Sequence, residues 1–324
     1  SVHLKSGKIA EIKHCRFTGN SAVMSGSAIS LYDFTHLTMR NSTLEDNKVT
    51  RFQTSYTDSK ERNPECTFMD KYWTDKGGTL HLNQHSQASV ISCIFSQNFA
   101  ETPGGAINIK SYSKVDIMNT HFYNNSAGQM GGAIAADVYC QVNISHCEFE
   151  SNMAARDGGA IYSSDATTLQ IEGSTFNSNM AGKDGGALYI EHGIAKIHSS
   201  TFALNMANYS AGAIFIFKCS STNIIQSQFY QNSCQMSGGS ICIENSGVLK
   251  VKKCQFMSNK AIENDGINTT YNGGDGGGIA AGRVNKIIIT DSNITHNAAS
   301  SSGGGFFISH GSNMEIHRCI VTQN

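Results

Sequence analysis

Apolar residues recur along this chain in short alternating runs of four to six residues, in which every second side chain is aliphatic. One aliphatic pair follows a pair of glycines (Ile107/Ile109, Leu188/Ile190, Ile214/Ile216, Ile241/Ile243), and a second precedes a phenylalanine (Val115/Ile117, Leu169/Ile171, Leu249/Val251, Ile287/Ile289). Alternation over such lengths predicts half-buried strands, not helices. The runs also return at a fixed interval. Aligned on the Asn of the motif FxxN, copies end at Asn20, Asn47, Asn98, Asn125, Asn152, Asn179, Asn205, Asn232, Asn259, Asn297 and Asn324, in steps of 27, 51, 27, 27, 27, 26, 27, 27, 38 and 27. A unit this short cannot bury a face alone, so eleven copies predict a stacked solenoid. Three short strands per turn make it an all-β, single-stranded parallel β-helix of about eleven 27-residue coils.

The phases within the unit assign the core. Phe17, Phe95, Phe122, Phe149, Phe176, Phe202, Phe229 and Phe256 are expected to stack in register on coils about 4.8 Å apart. The FxxN asparagines are expected to form an amide ladder at a corner. The small residue two places later (Ala100, Ala127, Ala154, Ala181, Ala207, Ala261) is expected to let the turn close. The 32 glycines and only 2 prolines fit a chain that turns tightly while every amide is needed for a ladder.

No composition break divides the sequence, so residues 1–324 read as one elongated β-helical domain with insertions at 48–76 and 260–276. The first insertion holds Cys66 and the only tryptophan, Trp73, and long loops on a rigid scaffold often carry function. Ser1 stands at the Ala of a Gly-Gly-Ala and Asn324 at the last Asn of FxxN, so both termini read as truncated coils. Head-to-tail stacking into a filament, or continuation by further coils, is the expectation.

GGAI followed by FxxN stands intact or nearly so at Gly104, Gly131, Gly158 and Gly185, with looser versions elsewhere, and nearly the whole chain follows the pattern. In this it resembles the polymorphic outer membrane protein repeats of chlamydial surface autotransporters, which also occur in surface proteins of protists. The resemblance implies a surface-exposed right-handed β-helix engaged in adhesion or coat formation.

A net charge of −1 gives no electrostatic footprint for nucleic acid or an anionic membrane. No apolar run approaches a membrane span, so membrane contact is expected only through segments outside this sequence. Cys15, Cys93, Cys147, Cys254 and Cys319 lie two residues before the Phe position and read as buried thiols, whereas Cys66, Cys140, Cys219, Cys234 and Cys242 are the better candidates for disulfides. Sequons at Asn41, Asn124, Asn143, Asn208, Asn268 and Asn293 are all expected to face solvent, as glycosylation requires.

Parallel β-helices also host polysaccharide lyases and glycoside hydrolases of the pectin-lyase-like type, which need clustered carboxylates beside a basic residue. The best set here is Asp157 and Asp184 beside Arg156 and Lys183, with Asp275 further on, and Asp before Gly-Gly is more simply a turn residue. No catalytic residue, metal ligand set or cofactor motif is assigned. Two outward strips carry more weight: Tyr162, Tyr189 and Phe215 at one position, and Met153, Met180 and Met206 at another, a pattern expected of a partner surface. The expectation is therefore a non-enzymatic, glycosylated structural or adhesion protein, secreted or at the cell surface. Its expected partners are copies of itself, a host or cell-surface protein, or a glycan.

Overall fold

A computed structural model describes residues 1–23, 26–50, 77–262 and 273–324. Trp73, Cys66 and Asn268 lie outside the described residues. In the unit from Gly158, β1 (Ile161–Ser163) follows the glycines and β2 (Thr168–Glu172) follows a corner. β3 (Thr175–Asn177) carries the phenylalanine and β4 (Met180–Ala181) follows the asparagine. Each strand pairs in parallel with its counterpart one coil on: Ile161 with Leu188, Leu169 with Ala195, Phe176 with Phe202, Ala181 with Ala207. The β1, β2 and β3 columns are eleven-stranded sheets, here sheets A, B and C; the β4 column is a ten-stranded sheet D. The sequence reading of three strands per turn is thus corrected to four. The alanine after FxxN is the inward residue of sheet D, packed with its neighbours Ala181, Ala207, Cys234 and Ala261. Insertion boundaries shift for the same reason: Lys48–Val49 and Lys260–Ala261 are sheet D strands, not loop.

The inward aliphatic pairs and the phenylalanines form one continuous core. Seven rings, from Phe95 to Phe256, stack with centroids 4.6–5.0 Å apart. Phe17 only packs partly buried at the first coil, because Leu44 separates it from the stack. Beside the rings runs the asparagine ladder. Each Asn Oδ1 accepts both the backbone N–H and the Nδ2–H of the Asn one coil before, at 3.0 Å for Asn152 to Asn179. The remaining Nδ2–H bonds a phenylalanine carbonyl, 3.0 Å for Asn179 to Phe149. A fully buried amide therefore leaves none of its capacity unmet.

Between sheets B and C a second ladder runs through Ser, Thr and Cys: the Cys147 N–H donates to Ser174 Oγ at 3.1 Å, and Cys147 Sγ donates to the Ser145 carbonyl at 3.2 Å. These cysteines are therefore hydrogen-bonding corner residues; Cys93, Cys147 and Cys254 are buried as expected, whereas Cys15 and Cys319, on the first and last coils, are exposed and half-buried, and burial pushes the Cys147 thiol up to about 11. The disulfide expectation is corrected. All nine described cysteines are free: Cys140 and Cys219 occupy the A–B corner, Cys234 faces inward in sheet D and Cys242 outward in sheet A.

Two tight constraints explain the glycines. Gly158 has φ +68°, and a Cβ on Gly159 would lie 2.0 Å from the Gly186 carbonyl oxygen of the next coil. The other corners mostly use left-handed residues that are not glycine, singly or in pairs such as Val138–Tyr139, among them Leu204 at φ 57°. An L-residue there costs about 1–2 kcal/mol, less for Asn. Leu204 is exposed, and the same place in another coil is held by Asn124 at φ 52°. Leu204→Asn is accordingly expected to raise stability by about 0.5–1 kcal/mol, read as a higher urea midpoint at unchanged slope.

Candidate functional site

Sheets A and B present the two outer faces where polar side chains gather. On sheet B the pleat turns the first, third and fifth residues of each five-residue strand outward. The third position reads Ser89, Asp116, Asn143, Gln170, Lys196 and Asn223 over six successive coils. With the fifth position, including Ser145, Glu172 and His198, these side chains line an open trough of about 760 Å³. The floor is the backbone, and the walls combine amides, hydroxyls and charges with the apolar Met118 and Ile225. Asn143 Nδ2 donates to Asp116 Oδ1 at 2.6 Å, and His198 Nε2 bonds Gln226 Oε1 at 2.8 Å. The Asn223 side-chain oxygen is buried at one end of the trough with no hydrogen-bond partner. At about 4.8 Å per coil, the lining spans about 24 Å along the axis.

On sheet A the predicted aromatic strip forms, but it does not stand free. Tyr162, Tyr189 and Phe215 stack with centroids 5.4 and 5.2 Å apart. Phe215 is only 7 % exposed, packed with Ala211, Cys242 and Ala280 in a small outer core that Tyr189, Phe217 and Phe307 flank. Reading Phe215 as partner surface is therefore corrected: axial stacking and the neighbouring corner cover it. Tyr162 and Tyr189 are half-buried, and burial pushes the Tyr162 phenol up to about 12. In the methionine strip Met153 and Met206 are exposed and Met180 is half-buried.

Asp157 and Asp184 are nearly buried and bond backbone: Asp157 Oδ1 accepts the Asp184 N–H at 3.3 Å and Asp184 Oδ1 the Ser210 N–H at 2.9 Å. Asp275 does the same with Ser302, at 3.0 Å. Burial, and then the Asp184 charge, push the Asp157 carboxyl above its ordinary value. Lys183 Nζ lies 3.2 Å from Asp184.

A polar group that sequence reading passed over stands beside the aromatic strip. Lys110, Asp137, Ser164 and Glu191 hold one phase on consecutive coils, a spacing of 27 that could have been read from the sequence. Lys110 Nζ meets Asp137 Oδ2 at 2.6 Å with its side chain 7 % exposed, and Ser164 Oγ donates to Asp137 Oδ1 at 3.0 Å. Burial works against the Asp137 charge, yet the Lys110 ammonium outweighs it and holds the carboxyl below its usual range. The neighbouring Asp137, and then burial, push the Asp165 carboxyl above its ordinary value.

Of the described sequons, Asn41, Asn124, Asn208 and Asn293 are exposed, on or flanking sheets C and D, while Asn143 is half-buried in the sheet B trough. Among the described residues no group of three or more His, Cys, Asp and Glu is placed to hold a metal ion, and no helix is long and apolar enough to cross a membrane.

The family model described as right-handed β-helix region matches residues 1–176 and again 159–324. No curated protein and no solved structure matches the chain.

Proposed function

The chain belongs to the right-handed β-helix family, and from that premise we propose that it is an extracellular structural or adhesion protein that binds a linear glycan along the outside of sheet B. The trough is the observation that carries this reading. Its amides, hydroxyls and charges suit a hydroxyl-rich chain, Met118 and Ile225 suit the apolar faces of sugar rings, and each coil presents one outward row of such groups at the coil rise. The GGAI and FxxN spacing supports placing the chain among the polymorphic outer membrane protein repeats, with surface display as the corresponding location.

Glycosylation belongs to the same reading. The exposed sequons leave the faces of sheets A and B clear, whereas a glycan on Asn143 would fill the trough and break its bond to Asp116. Peptide mapping of the natural protein is expected to find Asn41, Asn124, Asn208 and Asn293 occupied and Asn143 bare. Occupancy of Asn143 would close the trough and remove this function.

Titration with a panel of linear polysaccharides tests the binding. Gln170→Ala with Lys196→Ala is expected to weaken it at least about fivefold, by removing hydrogen bonds of about 1 kcal/mol each, with no shortening of the polymer. A panel in which nothing binds sinks the proposal.

A polysaccharide lyase or hydrolase is the second reading, and the Asp137–Asp165 pair beside Lys110 is what favours it. Glycosidases hold their two carboxyls about 5–9.5 Å apart across the sugar. Here Asp137 is already engaged by Lys110 and Ser164, so it does not stand free across a sugar from Asp165. Cleavage that disappears in Asp165→Asn would promote this reading.

A further inference from the structure

The outward middle position of sheet A reads Asn108, Ala135, Tyr162, Tyr189 and Phe215 on five successive coils. Three of these are aromatic rings, each covering a face of the next. Ala135 interrupts the series. Its methyl group leaves the face of Tyr162 that looks toward the Asn108 coil without a ring against it. A cavity of about 320 Å³ opens there, with Pro103, Met130, Ala135 and Tyr162 as its apolar walls. It is a missing step in an aromatic stack: at about 4.8 Å per coil, Asn108 and Tyr162 are separated by twice the rise.

The polar wall of the cavity is Lys110, Gln129, Asp137, Ser164, Asp165 and Glu191. Lys110 is already engaged by Asp137 at 2.6 Å. Among the described residues Asp165 and Glu191 form no ion pair with a lysine or arginine; Glu191 has His192 Nδ1 at 3.4 Å and the Tyr162 hydroxyl at 3.5 Å. With all carboxyls ionised the wall carries two negative charges that nothing in it balances. The crowding shows in Asp165, whose carboxyl the neighbouring Asp137 pushes above its ordinary value.

We propose that this slot takes a guanidinium group, lying flat on Tyr162 where the next ring of the stack would be and donating its N–H groups to Asp165 and Glu191. A flat cation suits both halves of the site. Guanidinium stacks on an aromatic face through the ring quadrupole, and its planar fork of donors matches carboxylates held at the edge. An ammonium would satisfy the charge and waste the face; a neutral ring would do the reverse. The group can come from an arginine side chain of a partner protein or from a small guanidine compound. The slot lies on a different sheet from the glycan trough, so either proposal can fail without the other.

NMR titration of the whole chain with blocked arginine (N-acetyl, N-methylamide), the matching blocked lysine and free arginine provides the test. Blocked arginine is expected to shift the resonances of Tyr162 and Asp165, with the lysine derivative at least about fivefold weaker. Ala135→Phe puts a ring in the slot and is expected to weaken binding at least about tenfold in a protein whose far-ultraviolet circular dichroism is unchanged. Should that variant misfold, Asp165→Asn is expected to weaken binding at least about fivefold. Blocked arginine binding as well as free arginine identifies a protein side chain as the ligand, and binding by free arginine alone identifies a small molecule; both support the slot. Equal binding of the lysine derivative, unchanged affinity in Ala135→Phe or Asp165→Asn, or no saturation at millimolar concentrations overturns it.

Discussion

Replacing Asn179 by Ala is expected to destabilise the fold by about 4–8 kcal/mol, although the side chain removed is small and polar. Asn179 Oδ1 accepts two bonds from Asn152, one from the backbone N–H and one from Nδ2, both at 3.0 Å. Its Nδ2 donates to the Phe149 carbonyl and to Asn205 Oδ1, again at 3.0 Å. All three asparagines are fully buried. Truncation strands two buried donors of Asn152, each costing about 1–3 kcal/mol, and loses two further bonds of about 1 kcal/mol each. Equilibrium urea unfolding measures the total. Hydrogen exchange locates it, because each coil of a solenoid rests on its neighbours and the Asn152 amide should lose protection first. A loss under 1 kcal/mol would mean that water replaces the ladder at little cost.

Acid is expected to weaken the fold through one residue. His81 is fully buried in the outward column of sheet A, against Tyr32, with neither ring nitrogen hydrogen-bonded. Burial, and then the Lys110 charge, push its pKa down from 6.5 to about 3. The unfolded chain therefore takes up this proton near pH 6.5, and the folded chain only near pH 3. The neutral ring's contribution is complete above pH 6.5, falls as pH drops, and is lost at about pH 3, a total of about 5 kcal/mol at 1.36 kcal/mol per unit. His81→Leu cannot titrate. The stability difference between wild type and variant, measured from pH 7 to pH 4, should move steadily in the variant's favour; a constant difference would show that His81 is protonated or hydrated in the folded state. Carboxylates titrate in both proteins and cancel in the comparison.

The positions of the phenylalanine stack and the asparagine ladder were legible in the sequence because a parallel β-helix gives every coil the same surroundings. A residue's phase in the 27-residue unit then fixes its tertiary neighbours, which are its own counterparts one coil away. Phe176 meets Phe149 and Phe202 for that reason, and Asn179 meets Asn152 and Asn205. The outward direction of Asn41, Asn124, Asn208 and Asn293 followed from the same alternation. Sheet D escaped notice because two residues, such as Met180–Ala181, are too few to show a period.

What identity and phase left open was how neighbours along the axis fill the space outside the sheets. Tyr162, Tyr189 and Phe215 share one outward phase, yet Phe215 is covered while Tyr162 keeps an open face, since that depends on whether the next coil supplies a ring or Ala135. Cys219 became a corner hydrogen-bonding group, and His81 a buried neutral ring, through contacts with preceding and following coils. The sequence by itself determined the period, the inward aliphatic and phenylalanine positions and the asparagine ladder, because these depend on one repeated phase. The tertiary structure alone decided the trough, the slot and the shifted pKa values, because burial, charge and free volume at a point are sums over all the coils that surround it.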